Sequence, residues 1–208
     1  LEKQLKSKIL GRHPVITVIG EGGSGKTALA LQTLYGLLQS NDHGFDAIAW
    51  VSAKSAQLNI SEIARINGAI STALGAFEAV ADQFEPGDAP PIERVRKLLE
   101  ENKILLVIDN LETILDLSIQ EFAQDVPGES KLLLTSRVPL GADLQVHVGN
   151  FTADEANTYL RRLIDAYEIH NLRIMDPETL KKYSERLGRK PLLLKWFALG
   201  VQSGLSPD

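Results

Sequence analysis

The amino-acid sequence predicts an α/β fold: a parallel sheet covered on both faces by helices, followed by a small all-helical subdomain. Two patterns predict it. Up to about residue 150, short continuously apolar runs alternate with stretches of helical periodicity, as strands buried on both faces do. Beyond that point strand signals stop and amphipathic helices take over, which divides the chain into residues 1–149 and 150–208. A third observation, a Gly-rich turn between the first apolar run and the first long helix, marks where a ligand would sit.

Residues 15–19 (Val-Ile-Thr-Val-Ile) form a β-branched run that stops at Gly20 and yields to an Ala- and Leu-rich helical stretch over 27–38. The next strand is 47–52, followed by helical patterning over about 61–81. Residues 85–91 carry three prolines, which remove donors and fix φ, so they read as a loop. Ile92, Val95, Leu98 and Leu99 then recur at helical spacing, and the apolar run 104–108 follows directly. Residues 131–135 are a further strand, entered from Pro127-Gly128. In the second part, Thr152 with Glu155 makes a capping box ahead of the stripe Ala156, Tyr159, Leu160, Leu163 and Ile164. Asp176 as N-cap with Pro177 opens another helix that Gly188 closes, and a last helix runs over about 191–202. Some 60 residues are marginal for independent stability, so this part is expected to dock on the sheet domain.

Composition limits the function. Hydrophobic residues at 44% and charged residues at 24% exclude a disordered or fibrous chain. With 22 Lys and Arg against 27 Asp and Glu the net charge is −5, which argues against direct nucleic-acid or acidic-membrane binding. The absence of Cys removes disulfides, thiolate nucleophiles and zinc ribbons, and fits a reducing compartment. No apolar run is long enough to span a bilayer and no signal segment opens the chain, so it reads as soluble and cytoplasmic, with no membrane partner. Opening at Leu1, with Met175 as its only methionine, it reads as a piece of a longer protein.

The chemistry lies at the Gly-rich turn. Gly20-Glu21-Gly22-Gly23-Ser24-Gly25-Lys26-Thr27 matches G-x-x-x-x-G-K-[ST] in full, after a predicted buried strand and opening a helix. In that context the backbone N–H groups of a P-loop turn inward to cradle phosphates, aided by the helix N-terminus. The nucleotide-binding set is Gly22, Gly23, Ser24, Gly25, Lys26, Thr27 and Ala28. Lys26 bridges the β- and γ-phosphates, and the Thr27 hydroxyl ligates Mg²⁺. The run 104–108 ends in Asp109, the metal-side acid. Asn110 stands where many hydrolytic relatives carry a second acid, and an amide cannot accept a proton from the attacking water. Glu112 is the substitute base in reach, with a solvated helix-start acid as its plainer reading. Slow hydrolysis suits a switch that holds its nucleotide better than a motor.

Four further motifs extend the signal. They are Phe45-Asp46-Ala47-Ile48-Ala49-Trp50-Val51-Ser52, Lys131-Leu132-Leu133-Leu134-Thr135-Ser136-Arg137, the segment 151–163, and Gly188-Arg189-Lys190-Pro191-Leu192. With the P-loop and the Asp109 strand, in this order, they resemble the nucleotide-binding domains of the signal-transducing STAND ATPases of NB-ARC type, over about residues 14–203. The resemblance implies a P-loop NTPase domain followed by the family's first helical subdomain, with ATP or ADP and Mg²⁺ as ligands. It implies that Arg137 reads the terminal phosphate and that Pro191 lies against the adenine. From the residues alone, Arg137 also reads as a surface arginine, Pro191 as a helix-start proline and Trp50 as a core or helix-facing aromatic. Two residues separate Gly188 from Pro191 where the family usually has one. The run Lys181, Lys182, Arg186, Arg189 and Lys190 reads as a solvated face.

The implied function is a nucleotide-controlled switch. ADP holds a multidomain protein closed, ATP exchange opens it, and the opened protein forms a homo-oligomer that activates an effector. Its partners are its own sensor, winged-helix and effector domains, in a setting of defence, cell death or transcription. The alternative is a working ATPase of AAA+ type, for remodelling or DNA replication, against which Asn110 and the Thr135-Ser136-Arg137 strand end both count. A small-molecule kinase is a third reading, without any acceptor lid in the sequence.

Overall fold

The computed structural model describes residues 1–40, 43–52, 73–84, 88–111, 117–139, 141 and 144–206. The chain divides into two compact units. One comprises Leu1–Gly20 and Lys26–His147, the other Glu21–Gly25 and Val148–Asp208. The crest of the Gly-rich loop therefore belongs to the helical unit, while the loop's two ends belong to the sheet unit.

The sheet unit contains, in chain order, α1 (Glu2–Ile9), β1 (Val15–Ile19), α2 (Lys26–Gln39), β2 (Ala47–Ser52), α3 (Ala73–Phe84), α4 (Pro91–Glu101), β3 (Ile104–Asp109), α5 (Leu117–Gln124), β4 (Lys131–Ser136) and β5 (Leu144–His147). Among the described residues the strands form one sheet in the order β2-β3-β4-β1-β5, and every pairing is parallel. β3, β4 and β1 have neighbours on both sides and are almost wholly buried, which explains their predominance of Ile, Leu and Val. One face packs Leu106, Ile108, Leu132 and Leu134 against Phe77, Val80, Val95, Leu99 and Phe122. Phe77 and Phe122 meet with ring centroids 4.8 Å apart.

The four strands expected from the sequence are present. Residues 53–72, which hold most of the helical patterning expected over 61–81, lie outside the described residues, and α3 takes up the end of that stretch. Residues 85–87 of the expected proline loop and Glu112 lie outside them as well. Trp50 is half-buried, on the face of edge strand β2 opposite the buried Ala49 and Val51. β5 and α1 were not expected. β5 is short and alternating, with Val146 buried, and it pairs with β1 alone at the other edge. α1 buries Leu5 and Ile9 completely, one turn apart. Buried Ser130 joins α4 to β3. Its hydroxyl accepts from the Ile104 N–H at 2.9 Å, and lies 2.9 Å from the Leu99 carbonyl and 2.7 Å from that of Asn102.

The helical unit contains α6 (Ala153–Ala166), α7 (His170–Arg173), α8 (Pro177–Arg186) and α9 (Pro191–Gln202). Its core is Leu160, Leu163, Ile164, Ile169, Leu172, Leu180, Ala198 and Val201. The expected caps form: Thr152 and Glu155 make the reciprocal capping box, and Asp176 accepts from the Thr179 N–H at 3.0 Å. α8 ends in a Schellman closure, with the Gly188 N–H on the Glu185 carbonyl and the Arg189 N–H on the Ser184 carbonyl, both at 2.9 Å. Gly188 supplies the left-handed residue this closure needs, at φ 63°.

Candidate functional site

The C-terminal edge of the sheet collects hydroxyls and one carboxylate. Ser52 and Asp109 are register partners across β2 and β3, and Ile108 pairs with Leu134, so Thr135 stands level with Asp109 on the other side. Asp109 is 3% exposed. Its Oδ1 accepts from the Thr135 hydroxyl at 2.6 Å and from the Thr27 hydroxyl at 2.8 Å, and its Oδ2 accepts from the Ser52 hydroxyl at 3.2 Å. Burying a carboxylate is tolerable only when its lone pairs are filled in this way. Asn110 follows in the left-handed region at φ 63°, a conformation asparagine tolerates better than most side chains. Its N–H donates to the Thr135 hydroxyl at 2.8 Å.

The Gly-rich loop leaves β1 beside β4, where the Gly20 N–H donates to the Ser136 carbonyl at 3.3 Å. Gly22, Gly23, Ser24 and Gly25 form the turn between β1 and α2, and Lys26, Thr27 and Ala28 are the first three residues of α2. Lys26 is buried, with Nζ donating to the Gly20 carbonyl at 2.8 Å. The Ser24 side chain is buried with its hydroxyl oxygen lacking any hydrogen-bond partner. An orphaned buried hydroxyl in a Gly-rich loop of this sequence suits the chemistry of a phosphate oxygen. Arg137 is exposed and follows directly on Ser136, the residue that receives the Gly20 N–H.

Within the helical unit the loop crest meets the start of α9. Gly23 sits at φ 77°, and a Cβ there would lie 2.6 Å from the Leu192 Cβ, so the close approach needs glycine twice over. Lys190, the N-cap of α9, pairs with Glu21 at 2.8 Å and holds that carboxyl below its ordinary value. Pro191 is buried and occupies the first helical position.

For magnesium, the Thr27 hydroxyl and the Asp109 carboxylate offer the hard oxygen donors that the ion takes. Among the described residues there is no group of three or more His, Cys, Asp or Glu able to cage a metal. An ion here would complete its shell with phosphate and water, as magnesium usually does at nucleotide sites. The sequence reading singled out Thr27, Lys26 and Asp109 but not the roles of Ser52 and Thr135. Their signal was a hydroxyl at the C-terminal end of an otherwise apolar strand, the ligand-facing edge of an open α/β sheet. Glu112, the candidate base, lies outside the described residues. Among the described residues no helix is long and apolar enough to cross a membrane.

Comparison with known proteins fits this arrangement. The transcription activator GutR of Bacillus subtilis is 27% identical over 151 residues, 72% of this chain and 18% of GutR. The chain thus spans less than a fifth of that relative. Among solved structures, a Signal Transduction ATPase with Numerous Domains with a tetratricopeptide repeat sensor from Pyrococcus horikoshii aligns over 92% of this chain and 28% of its own. That alignment has a TM-score of 0.53 and 18% identity. The ORC2 protein of Aeropyrum pernix aligns over 98% of this chain and 66% of its own, with a TM-score of 0.57 and 15% identity. At such identities the structural likeness establishes the fold alone, a parallel-sheet P-loop ATPase domain with C-terminal helices. The NB-ARC domain family matches residues 1–158, three quarters of the chain, and the chain belongs to that family.

Proposed function

We propose that this chain is the ATP/ADP-binding switch module of a multidomain signal-transducing ATPase. The observation that carries the reading is the contact of the hydroxyl of Thr27, the last residue of a complete phosphate-loop motif, with buried Asp109 at 2.8 Å. In this reading the loop N–H groups, Ser24 and Lys26 hold the phosphates, and Ala28 continues the cradle into the helix. Thr27 and Asp109 are the residues that hold Mg²⁺, which neutralises phosphate charge when bound. Arg137 senses the terminal phosphate and Pro191 bears on the adenine. Hydrolysis is slow because Asn110 supplies no general base, with Glu112 as the nearest acid in sequence. Residues 1–149 act as the nucleotide-binding domain and 150–208 as its helical subdomain.

Exchange of ADP for ATP then sets the conformation of a longer protein, its homo-oligomerisation and its effector. Such control requires ATP and ADP to differ in affinity for two states, and Arg137 is the natural source of that difference. Of the settings of defence, cell death and transcription, the similarity to a transcription activator favours regulation of transcription, in the cytoplasm. The working AAA+-like ATPase remains the competing reading, and its fold is shared. Titrating ATP and ADP into the wild type and Lys26→Ala tests the site. Both nucleotides should bind the wild type, with affinity lost by at least about a hundredfold in a folded Lys26→Ala, as loss of a buried charged contact implies. Unchanged affinities in the variant would refute the assignment.

A further inference from the structure

Among the described residues three groups touch the Asp109 carboxylate, and of these only Thr27 belongs to the phosphate loop. The other two, Ser52 and Thr135, come from the strands on either side of β3 and stand level with Asp109 in the sheet. They grip different oxygens. Thr135 approaches Oδ1 at 2.6 Å and Ser52 approaches Oδ2 at 3.2 Å, so the pair fixes the carboxylate's rotation about its Cβ–Cγ bond as well as its position. The two contacts also differ in kind. A hydroxyl has one proton, and the Asn110 N–H donates into the Thr135 oxygen at 2.8 Å. The Thr135 proton is thereby directed away from that N–H and onto Asp109, giving a one-way chain from the Asn110 N–H through Thr135 to Oδ1. The left-handed turn at Asn110 lies at the start of this chain, with φ 63°.

We infer that Ser52 and Thr135 are positioning residues for magnesium, holding Asp109 from both sides in the rotation that faces Thr27. This rests on the reading of Asp109 and Thr27 as the magnesium-side pair. The physical reason for such a device is pre-organisation. An acid at the end of a strand keeps rotamer freedom, and a bound ion must freeze it, whereas here the sheet has already done so. Partners of metal-binding carboxylates typically govern affinity by roughly 10- to 100-fold. Thr135, whose donor direction is fixed by a backbone N–H, is the stronger of the two, and Ser52 on the edge strand the weaker.

The test is the magnesium dependence of ADP binding, measured by calorimetry in excess EDTA and across a magnesium titration. The proteins compared are the wild type, Asp109→Asn, Ser52→Ala, Thr135→Val and Thr135→Ser. The expected pattern has three parts. In EDTA the wild type, Ser52→Ala, Thr135→Val and Thr135→Ser bind ADP within about twofold of one another. The magnesium concentration that half-saturates the enhancement rises by roughly 10-fold or more in Thr135→Val and by less in Ser52→Ala. Thr135→Ser, which keeps the hydroxyl, restores the wild-type value. If Thr135→Val melts below the assay temperature, Ser52→Ala decides, since a half-buried edge residue should shift the unfolding midpoint by no more than about 4 °C. Magnesium dependence lost in Asp109→Asn but unchanged in Ser52→Ala and Thr135→Val overturns the positioning role and leaves the metal-side reading standing. Wild-type binding indifferent to magnesium overturns both. Equal losses with and without magnesium show a merely structural role and also overturn it.

Discussion

The two compact units keep their polar groups in opposite ways. In the sheet unit the decisive polar groups are buried and bonded to one another: Asp109, Thr135 and Lys26 are each under 10% exposed, and each has a partner of fixed geometry. In the helical unit Ser24 and Ser184 are buried, but the caps and the ion pair lie on the surface: Thr152 with Glu155, Asp176 with Thr179, Lys190 with Glu21. Exposed polar contacts of this sort are individually weak, while a buried network loses heavily when one member goes. The sheet unit is therefore built to hold a geometry. The helical unit is held by an apolar core, and Leu192 lies so near Gly23 that a Cβ there would stand 2.6 Å from it.

That contrast has graded consequences. The largest belongs to the loop crest, where Gly23 and Gly25 both have φ above 70° but differ in surroundings. A Cβ at Gly23 meets Leu192 at 2.6 Å, whereas one at Gly25 meets nothing within 4 Å. Gly25→Ala should cost about 1–2 kcal/mol from backbone strain alone, and Gly23→Ala about 1–3 kcal/mol more. Chemical denaturation of the two variants measures the gap. Equal costs would mean the Leu192 contact yields freely.

Next comes Arg137, exposed at the loop's point of departure. Arg137→Ala is expected to weaken ATP by about tenfold more than ADP, in line with one charge-assisted hydrogen bond. Calorimetric titration with each nucleotide reads the ratio, and equal losses remove Arg137 as the terminal-phosphate reader.

A smaller effect is expected at the helical caps. Thr152→Ala should destabilise the chain by about 1 kcal/mol without altering magnesium dependence, which separates a cap from the Asp109 network. A thermal melt combined with the magnesium titration checks both halves of that statement. Smallest is the acid response. The Thr152 backbone N–H holds the Glu155 carboxyl below its ordinary 4.5, Thr179 holds Asp176 below 3.8, and Lys190 holds Glu21 below 4.5. A carboxyl depressed in the folded state stabilises above its unfolded value, and that stabilisation is lost as pH falls through the lower folded value. The helical unit should thus lose stability gradually below about pH 4.5. Circular dichroism melts between pH 7 and 3 follow it, and a midpoint unchanged across that range would show that these contacts contribute nothing.

Legibility in the sequence followed burial. β1, β3 and β4 are enclosed on both sides and both faces, so most of their residues are apolar, and their runs stand out. β5 was invisible because an edge strand of Leu-Gln-Val-His needs one buried side chain, Val146, and two apolar letters in four make no run. α1 carried a readable sign in Leu5 and Ile9 one turn apart, but eight residues give too little periodicity to separate from chance. At the site, Lys26, Thr27 and Asp109 were legible because phosphate and magnesium chemistry fixes residue type and spacing together. Ser52 and Thr135 were not, because their relation to Asp109 is a matter of strand order and register, which only the folded sheet supplies. The Leu192 seat on Gly23 joins positions 169 residues apart and had no local signal at all.

In the proposed function this chain holds a nucleotide rather than consuming it. The most direct test is to denature the purified protein, identify any released nucleotide by chromatography, and measure ATP turnover on the same preparation. Stoichiometric ADP with turnover well below about one per minute is the expected result. An empty site with turnover on the order of one per second, ordinary for an enzyme, would contradict it and bring the working ATPase forward.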